Sequence, residues 1–274
     1  MADLARLSLN LATTRIMWGA REAIEGCARA GVRWIAPWRD QIAKDGLEAC
    51  VRAVRDAGLE VSSVCRGGMF PAADAAARQA AIEDNKRAID EAAALGARAL
   101  VLVVGGLPAG SKDLAGARTM VAEGIAAVLP YAREAGVALA IEPLHPMYAA
   151  DRACINTLAH ALDACDALGA GVGVAVDVYH VWWDPDLGPA IARAGRDRLL
   201  GFHVSDWLVP TRDLLLDRGM MGDGVIDIPR ITALMDRAGN DGPIEVEIFS
   251  AENWWQRDPD EVLSIAKQRF ASAV

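Results

Sequence analysis

Apolar residues along the chain alternate between two rhythms. Short runs rich in Val, Ile and Leu occupy residues 5–11, 32–37, 59–65, 99–105, 137–142, 172–177, 199–205 and 243–249. Runs of that length and β-branched content read as strands buried on both faces of a parallel sheet. Between them lie alanine-rich stretches with helical periodicity: REAIEGCARAG (21–31), LEACVRAVRDAG (47–58), RQAAIEDNKRAIDEAAALG (78–96) and ARTMVAEGIAAVLPYAREAG (117–136). Gly31, Gly58, Gly96, Gly136 and Gly239 follow the last apolar turns, where a helix ends in the left-handed conformation that glycine adopts without a Cβ clash. Eight such units in 274 residues predict a (β/α)8 TIM barrel, one domain over 1–274. A doubly wound open sheet is the rival fold. It would carry a Gly-rich phosphate loop after its first strand, and LSLNLATTRIMWG (7–19) has none. The longest connection, 206–242, reads as a long active-site loop to about Gly224 and then a helix.

Composition narrows the picture. A net charge of −9 argues against nucleic acid as a partner. No apolar stretch reaches the roughly 18 residues of a membrane span, and the N-terminus lacks the pattern of a signal peptide. The five cysteines form no CxxC pair and are odd in number, as in a reduced cytoplasmic protein with buried thiols. No zinc cluster of Cys and His, Ser–His–Asp arrangement or P-loop is present.

Four polar residues interrupt the apolar runs near their C-terminal ends: Glu142 in VALAIEP, Asp177 in GVGVAVD, His203 in LLGFHVSD and Glu247 in PIEVEIFS. A charge in such a run is costly unless it is paired or bound to a metal. In a barrel, the C-terminal ends of strands five to eight converge on one half of the mouth. Three carboxylates and an imidazole there suit one divalent cation: Mn2+ first, with Mg2+, Co2+ or Zn2+ as alternatives. Glu245 shares the strand parity of Glu247, so parity alone leaves either as the ligand.

These segments, IEPLHP (141–146), DVYHVWWDP (177–185), FHVSDW (202–207), GDGVIDI (222–228) and EVEIFS (245–250), resemble the sugar phosphate isomerase/epimerase superfamily of xylose-isomerase-like barrels. Ketose 3-epimerases and inosose isomerases are the nearer relatives within it. The resemblance covers strands five to eight through motifs and the first half through rhythm. It implies that Glu142, Asp177, His203 and Glu247 are metal ligands, with Glu247 preferred over Glu245, and that Glu142 and Glu247 are the acid–base pair. The chemistry is coherent on its own terms. A carbon beside a ketone is a weak acid, and two carboxylates on opposite faces can remove its proton and return it while a divalent ion stabilises the enediolate. The expected activity is isomerisation or epimerisation of a keto sugar, polyol ketone or sugar acid. A lyase or decarboxylase acting on a 3-keto sugar derivative through the same enediolate is the alternative. The repair endonucleases of the same superfamily need many more histidines than the four present. A sugar-binding barrel without catalysis would not need two carboxylates on one metal.

Further residues are candidates for substrate contact. His180 matches a substrate-contacting histidine of the resembled family. His145, three residues after Glu142, either contacts substrate or braces the loop between Pro143 and Pro146. Arg66, Arg212 and Arg218 fall on the expected catalytic face. Arg212 approximates a substrate-binding arginine of the ketose 3-epimerases, at a longer spacing from the histidine. The three together could bind a carboxylate or phosphate, or else pair with Asp206, Asp213 or Asp217. Asp206 could instead orient a ligand or an arginine, and Asp223 reads as a loop cap. Six tryptophans (Trp38, Trp182, Trp183, Trp207, Trp254 and Trp255) follow predicted strands and could wall a polyol pocket. The expected partner is a small carbohydrate, and a homodimer or homotetramer is the expected assembly.

Overall fold

The computed structural model describes residues 2–274. Its main sheet is built from β1 (Leu7–Asn10), β2 (Trp34–Ala36), β3 (Glu60–Val61), β4 (Ser63–Gly68), β5 (Ala99–Val103), β6 (Ala138–Ile141), β7 (Val172–Asp177), β8 (Leu199–Val204) and β11 (Ile244–Val246). A separate antiparallel ribbon pairs β9 (Asp206–Trp207) with β10 (Arg218–Gly219). The helices are α1 (Ala20–Arg29), α2 (Arg39–Asp45), α3 (Leu47–Ala57), α4 (Ala75–Ala94), α5 (Leu114–Glu134), α6 (Leu158–Leu168), α7 (Val178–Val181), α8 (Leu187–Arg198), α9 (Ile228–Arg237) and α10 (Pro259–Ala273).

The main sheet runs β3-β2-β1-β11-β8-β7-β6-β5-β4, and every pairing in it is parallel. Its two ends are consecutive pieces of one strand. The Ser62 N–H between them still donates to Ile35 O at 2.9 Å, and the Cys65 N–H reaches Pro37 O at 3.0 Å. The nine segments are therefore eight staves, and the sheet closes into the barrel the rhythm predicts. Each of the eight expected strands is present. The five glycines expected to end helices all have φ between 66° and 91°.

Hydrophobic packing follows the same logic. Leu100, Leu102, Leu139, Ile141, Val174 and Val176 are fully buried between the staves and the helices. The barrel interior is more polar: Ser8, Asn10, Ser62, Asp177, His203, Glu245 and Glu247 are all buried. All five cysteines are buried and unpaired. Among the described residues, no helix is long and apolar enough to cross a membrane.

The segment 206–224 is more ordered than a bare loop. It folds back as the β9–β10 ribbon before α9 begins. Asp206 fixes that fold by accepting from the backbone N–H groups of Trp207, Gly222, Gly224 and Ile226 at 2.8–3.0 Å. Gly224 is required by close approach: a Cβ there would lie 2.2 Å from Trp207 O and 2.6 Å from Asp206 Oδ1. Tyr148 and Tyr179 donate their hydroxyls to Leu214 O at 2.7 and 3.2 Å, tying the tip of the segment to the barrel rim.

Candidate metal centre and substrate cavity

Strand register brings the polar residues together. His203 is level with Asp177 on β7 and with Glu245 on β11, so all three face inward. Glu142 and Glu247 lie one residue past the ends of β6 and β11, and their N–H groups continue the ladders to Leu102 O and Val204 O. One ligand atom from each of Glu142, Asp177, His203 and Glu247 lies within 4.8 Å of the others, and all four residues are buried.

The arrangement fits a divalent ion by two independent observations. His203 Nδ1 is 3.0 Å from Glu142 Oε1 without the alignment of a hydrogen bond, and it is buried with no other partner. A nitrogen and an oxygen that converge without bonding each other are placed for a third atom between them. The charges also fail to cancel. Glu142, Asp177, Glu245 and Glu247 bring four carboxyls into a space that holds two side-chain cations, Arg218 and His203 when protonated.

That imbalance appears in the titration of the cluster. Burial, with Glu142 and Asp177 nearby, raises the Glu247 carboxyl to about 8, against the pull of Arg218 and His203. Burial would also raise Asp177, but Arg218, His180 and His203 outweigh it and hold its carboxyl below the usual value. Arg218 touches both carboxylates equally, at 2.9 Å, so the two cannot differ through Arg218 alone. Asp177 also accepts from the Tyr179 N–H, which leaves Glu247 as the proton holder. Burial opposes the charge on His203, but Glu245 and Glu142 raise it well above an ordinary histidine.

Glu245 lies one layer below the cluster. It accepts from Ser62 Oγ at 2.8 Å and Asn10 Nδ2 at 3.2 Å, and His203 Nε2 is 3.4 Å away. A carboxylate beside the distal nitrogen of a metal-ligating histidine fixes the ring's orientation and tautomer. Asn10 links the two layers, donating also to Glu247 Oε1 at 3.1 Å while accepting from Trp38 Nε1 at 2.7 Å. The reading of the sequence did not single out Asn10, although it ends an apolar strand as the other four residues do.

A cavity of about 210 Å3 opens above the cluster. Glu142, Glu247, His180, Arg218, Arg66, Arg152 and Arg15 line it, with Trp38, Cys65, Tyr148, Leu215 and Phe249 among its apolar walls. His180 is fully buried with its Nε2 3.3 Å from Arg218 Nη2, and burial first, then Arg218, drives its pKa down to about 3. It is therefore a neutral imidazole in this setting. Arg218 is sandwiched by the rings of Tyr179 and Phe249, 4.4 and 5.1 Å from its guanidinium carbon.

Two expected contacts are placed elsewhere. Arg212 points outward and pairs with Asp217 at 2.5 Å. Because the β9–β10 ribbon reverses the chain, the arginine delivered to the cluster is Arg218, six residues further on. His145 caps its own turn by accepting from the Met147 N–H and stacks on Trp207 at 5.3 Å, outside the cavity wall. Of the six tryptophans, Trp38 alone lines this cavity. Asp206 holds the loop through backbone hydrogen bonds and touches neither a ligand nor an arginine. Arg15 and Arg152, which line the cavity, were not anticipated.

Residues 24–265 match the sequence profile of the xylose isomerase-like TIM barrels. The chain belongs to that family. Among solved structures, this xylose isomerase-like barrel superposes on protein SMc04130 from Sinorhizobium meliloti 1021 with a TM-score of 0.97 and 60% identity over 99% of each chain. It shares the fold, at 18% identity and a TM-score of 0.84 over 98% of each chain, with an IOLI protein solved with a bound zinc atom. A D-psicose 3-epimerase solved in the presence of D-fructose is similar at 19% identity and a TM-score of 0.79 over 97% of each chain. No curated protein matches the chain.

Proposed function

We propose that this xylose isomerase-like barrel is a divalent-metal-dependent isomerase or epimerase of a small hydroxyketone: a keto sugar, a polyol ketone or a sugar acid. The observation that carries the reading is that two of the four convergent donors, Glu142 and Glu247, also line the cavity. Glu142, Asp177, His203 and Glu247 would hold the ion, with Mn2+ the first candidate. When bound, it would polarise the substrate carbonyl and the adjacent hydroxyl. The zinc of the IOLI protein and the D-fructose of the D-psicose 3-epimerase structure support a metal and a sugar on this fold.

The remaining chemistry belongs to the chain. Glu142 and Glu247 project from staves separated by β7 and β8, so they approach a ligand in the cavity from different sides. One takes the proton from the carbon beside the carbonyl, and the other returns a proton to the same carbon or its neighbour. The proton that is returned is the one the first carboxylate has taken, or one exchanged with solvent. Neutral His180 and charged Arg218 both line the cavity and would contact substrate oxygens, Arg218 as a donor.

The test is solvent exchange. Mn2+-loaded protein is incubated in D2O with a panel of ketoses, inososes and keto acids, and deuterium is followed by NMR and mass spectrometry. Metal-dependent deuterium beside the carbonyl is expected, reduced by roughly 100-fold or more in Glu142→Gln and Glu247→Gln. The product separates an isomerase from a lyase. No exchange into any ligand shown to bind the loaded protein overturns the proposal.

A further inference from the structure

The cavity also carries a basic group: besides the carboxylates and Arg218, its wall holds Arg15, Arg66 and Arg152, in a chain with nine more acidic than basic charges. Arg15 is paired with Asp40. The other two lack such compensation. Among the described residues, Arg66 has no carboxylate within 4.0 Å and donates no hydrogen bond, although most of the residue is withdrawn from solvent. Arg152 reaches Asp151 only at 4.0 Å, and that carboxylate is 66% exposed, so the pair contributes little.

We propose that the substrate carries an anionic group, carboxylate or phosphate, which Arg66 and Arg152 grip in the cavity. The inference rests on the same cavity being the substrate site. Two guanidinium groups lining one small cavity repel, and withdrawing Arg66 from water adds to that cost, while Arg152 keeps a side chain 41% exposed. Burial, then the charge of Arg152, pushes the pKa of Arg66 down. Glu142 and Cys65 offset this only in part, and no carboxylate among the described residues pairs with Arg66; an oxyanion between the two arginines would complete the compensation. The guanidinium fork matches a carboxylate or phosphate with paired N–H donors, which a neutral hydroxyl cannot accept as well. Arg152 is also held in place, its guanidinium carbon 5.5 Å from the ring centre of Tyr148, whose hydroxyl is fixed on Leu214 O. The carboxylates of the cavity suit a metal and the reacting carbons, and its uncompensated guanidinium groups suit a charged tail. Its volume of about 210 Å3 admits one small ligand, below the roughly 300–1,000 Å3 of drug-sized sites.

D-fructose, D-fructuronate and D-fructose 6-phosphate differ only at C6 and make the comparison direct. Each is titrated calorimetrically into the full chain, both Mn2+-loaded and metal-free, for wild type, Arg66→Gln and Arg152→Gln. One of the two anions should bind at least 10-fold more tightly than D-fructose, and each substitution should remove most of that preference without changing Mn2+ affinity. Which anion is preferred names the group. Equal binding of all three compounds, no binding of any, or a preference that survives both substitutions overturns the proposal. Anion preference in protein that fails to bind Mn2+ would overturn the metal reading and leave this one standing.

Discussion

The acidic and basic groups of the barrel mouth are positioned differently. Glu142, Asp177, His203 and Glu247 stand on or just beyond the ends of four neighbouring staves, β6, β7, β8 and β11. Among the cations that line the same cavity, Arg15 and Arg152 come from connecting segments, and Arg66 lies within a strand. The acidic side is positioned by ladder register, which moves only if the sheet does. The basic side is positioned by loops, whose geometry depends on local hydrogen bonds. Arg218 crosses between them: a ribbon residue whose guanidinium sits 2.9 Å from two of the acidic residues. A rigid acidic frame fits reaction chemistry, and loop-borne cations fit the selection of a particular substrate tail.

Asp206→Ala tests the loop-built side and should have the largest effect on stability. It leaves the four backbone N–H groups on the fully buried Asp206 without their acceptor. At about 1 kcal/mol or more each, the loss is roughly 3–5 kcal/mol. Denaturant unfolding measures it. A loss under about 1 kcal/mol would mean that the ribbon is held by other contacts.

Glu245→Gln probes the strand-built side at one remove. It keeps the shape below His203 and removes the charge beside Nε2. Mn2+ affinity should fall roughly 10- to 100-fold. Unchanged affinity would show that the barrel wall alone orients the imidazole.

The smallest effect is the pH response of the acidic side. Glu247 is raised from 4.5 to about 8. His203 is raised well above 6.5. Both groups bind protons more tightly in the folded metal-free protein than in the unfolded chain. Their stabilisation is complete below pH 4.5 for Glu247 and below 6.5 for His203, and it is lost as pH rises through the folded values. The Tm of metal-free protein should therefore fall between pH 6.5 and 8. The Tm increase caused by Mn2+ should grow over the same window, because the ligands must shed protons to bind it. A metal-free Tm that climbs across this window would contradict the assignment of the proton to Glu247.

The same contrast explains what the sequence could reveal. Strand residues follow a period of two and strand ends share a face, so eight apolar runs located both the staves and the four convergent polar residues. Asn10 carried the same signal at the end of LSLN, but a single amide does not stand out as a buried charge does. Loop residues have no period. Nothing in DWLVPTRDLLLDRG distinguishes Arg212 from Arg218, because the difference arises from the reversal of the chain that Asp206 and the β9–β10 pairing impose. Arg15 and Arg152 were equally invisible, since only the fold brings their segments to the same cavity as Glu142.

The central claim is that four strand-borne residues hold one ion. The most direct measurement is an electron paramagnetic resonance titration of metal-stripped protein with Mn2+, beside Asp177→Asn and His203→Ala. The account predicts one tightly bound Mn2+ per chain, with affinity lowered at least roughly 10-fold in each variant. No bound Mn2+, or binding that is unchanged in both variants, would contradict it.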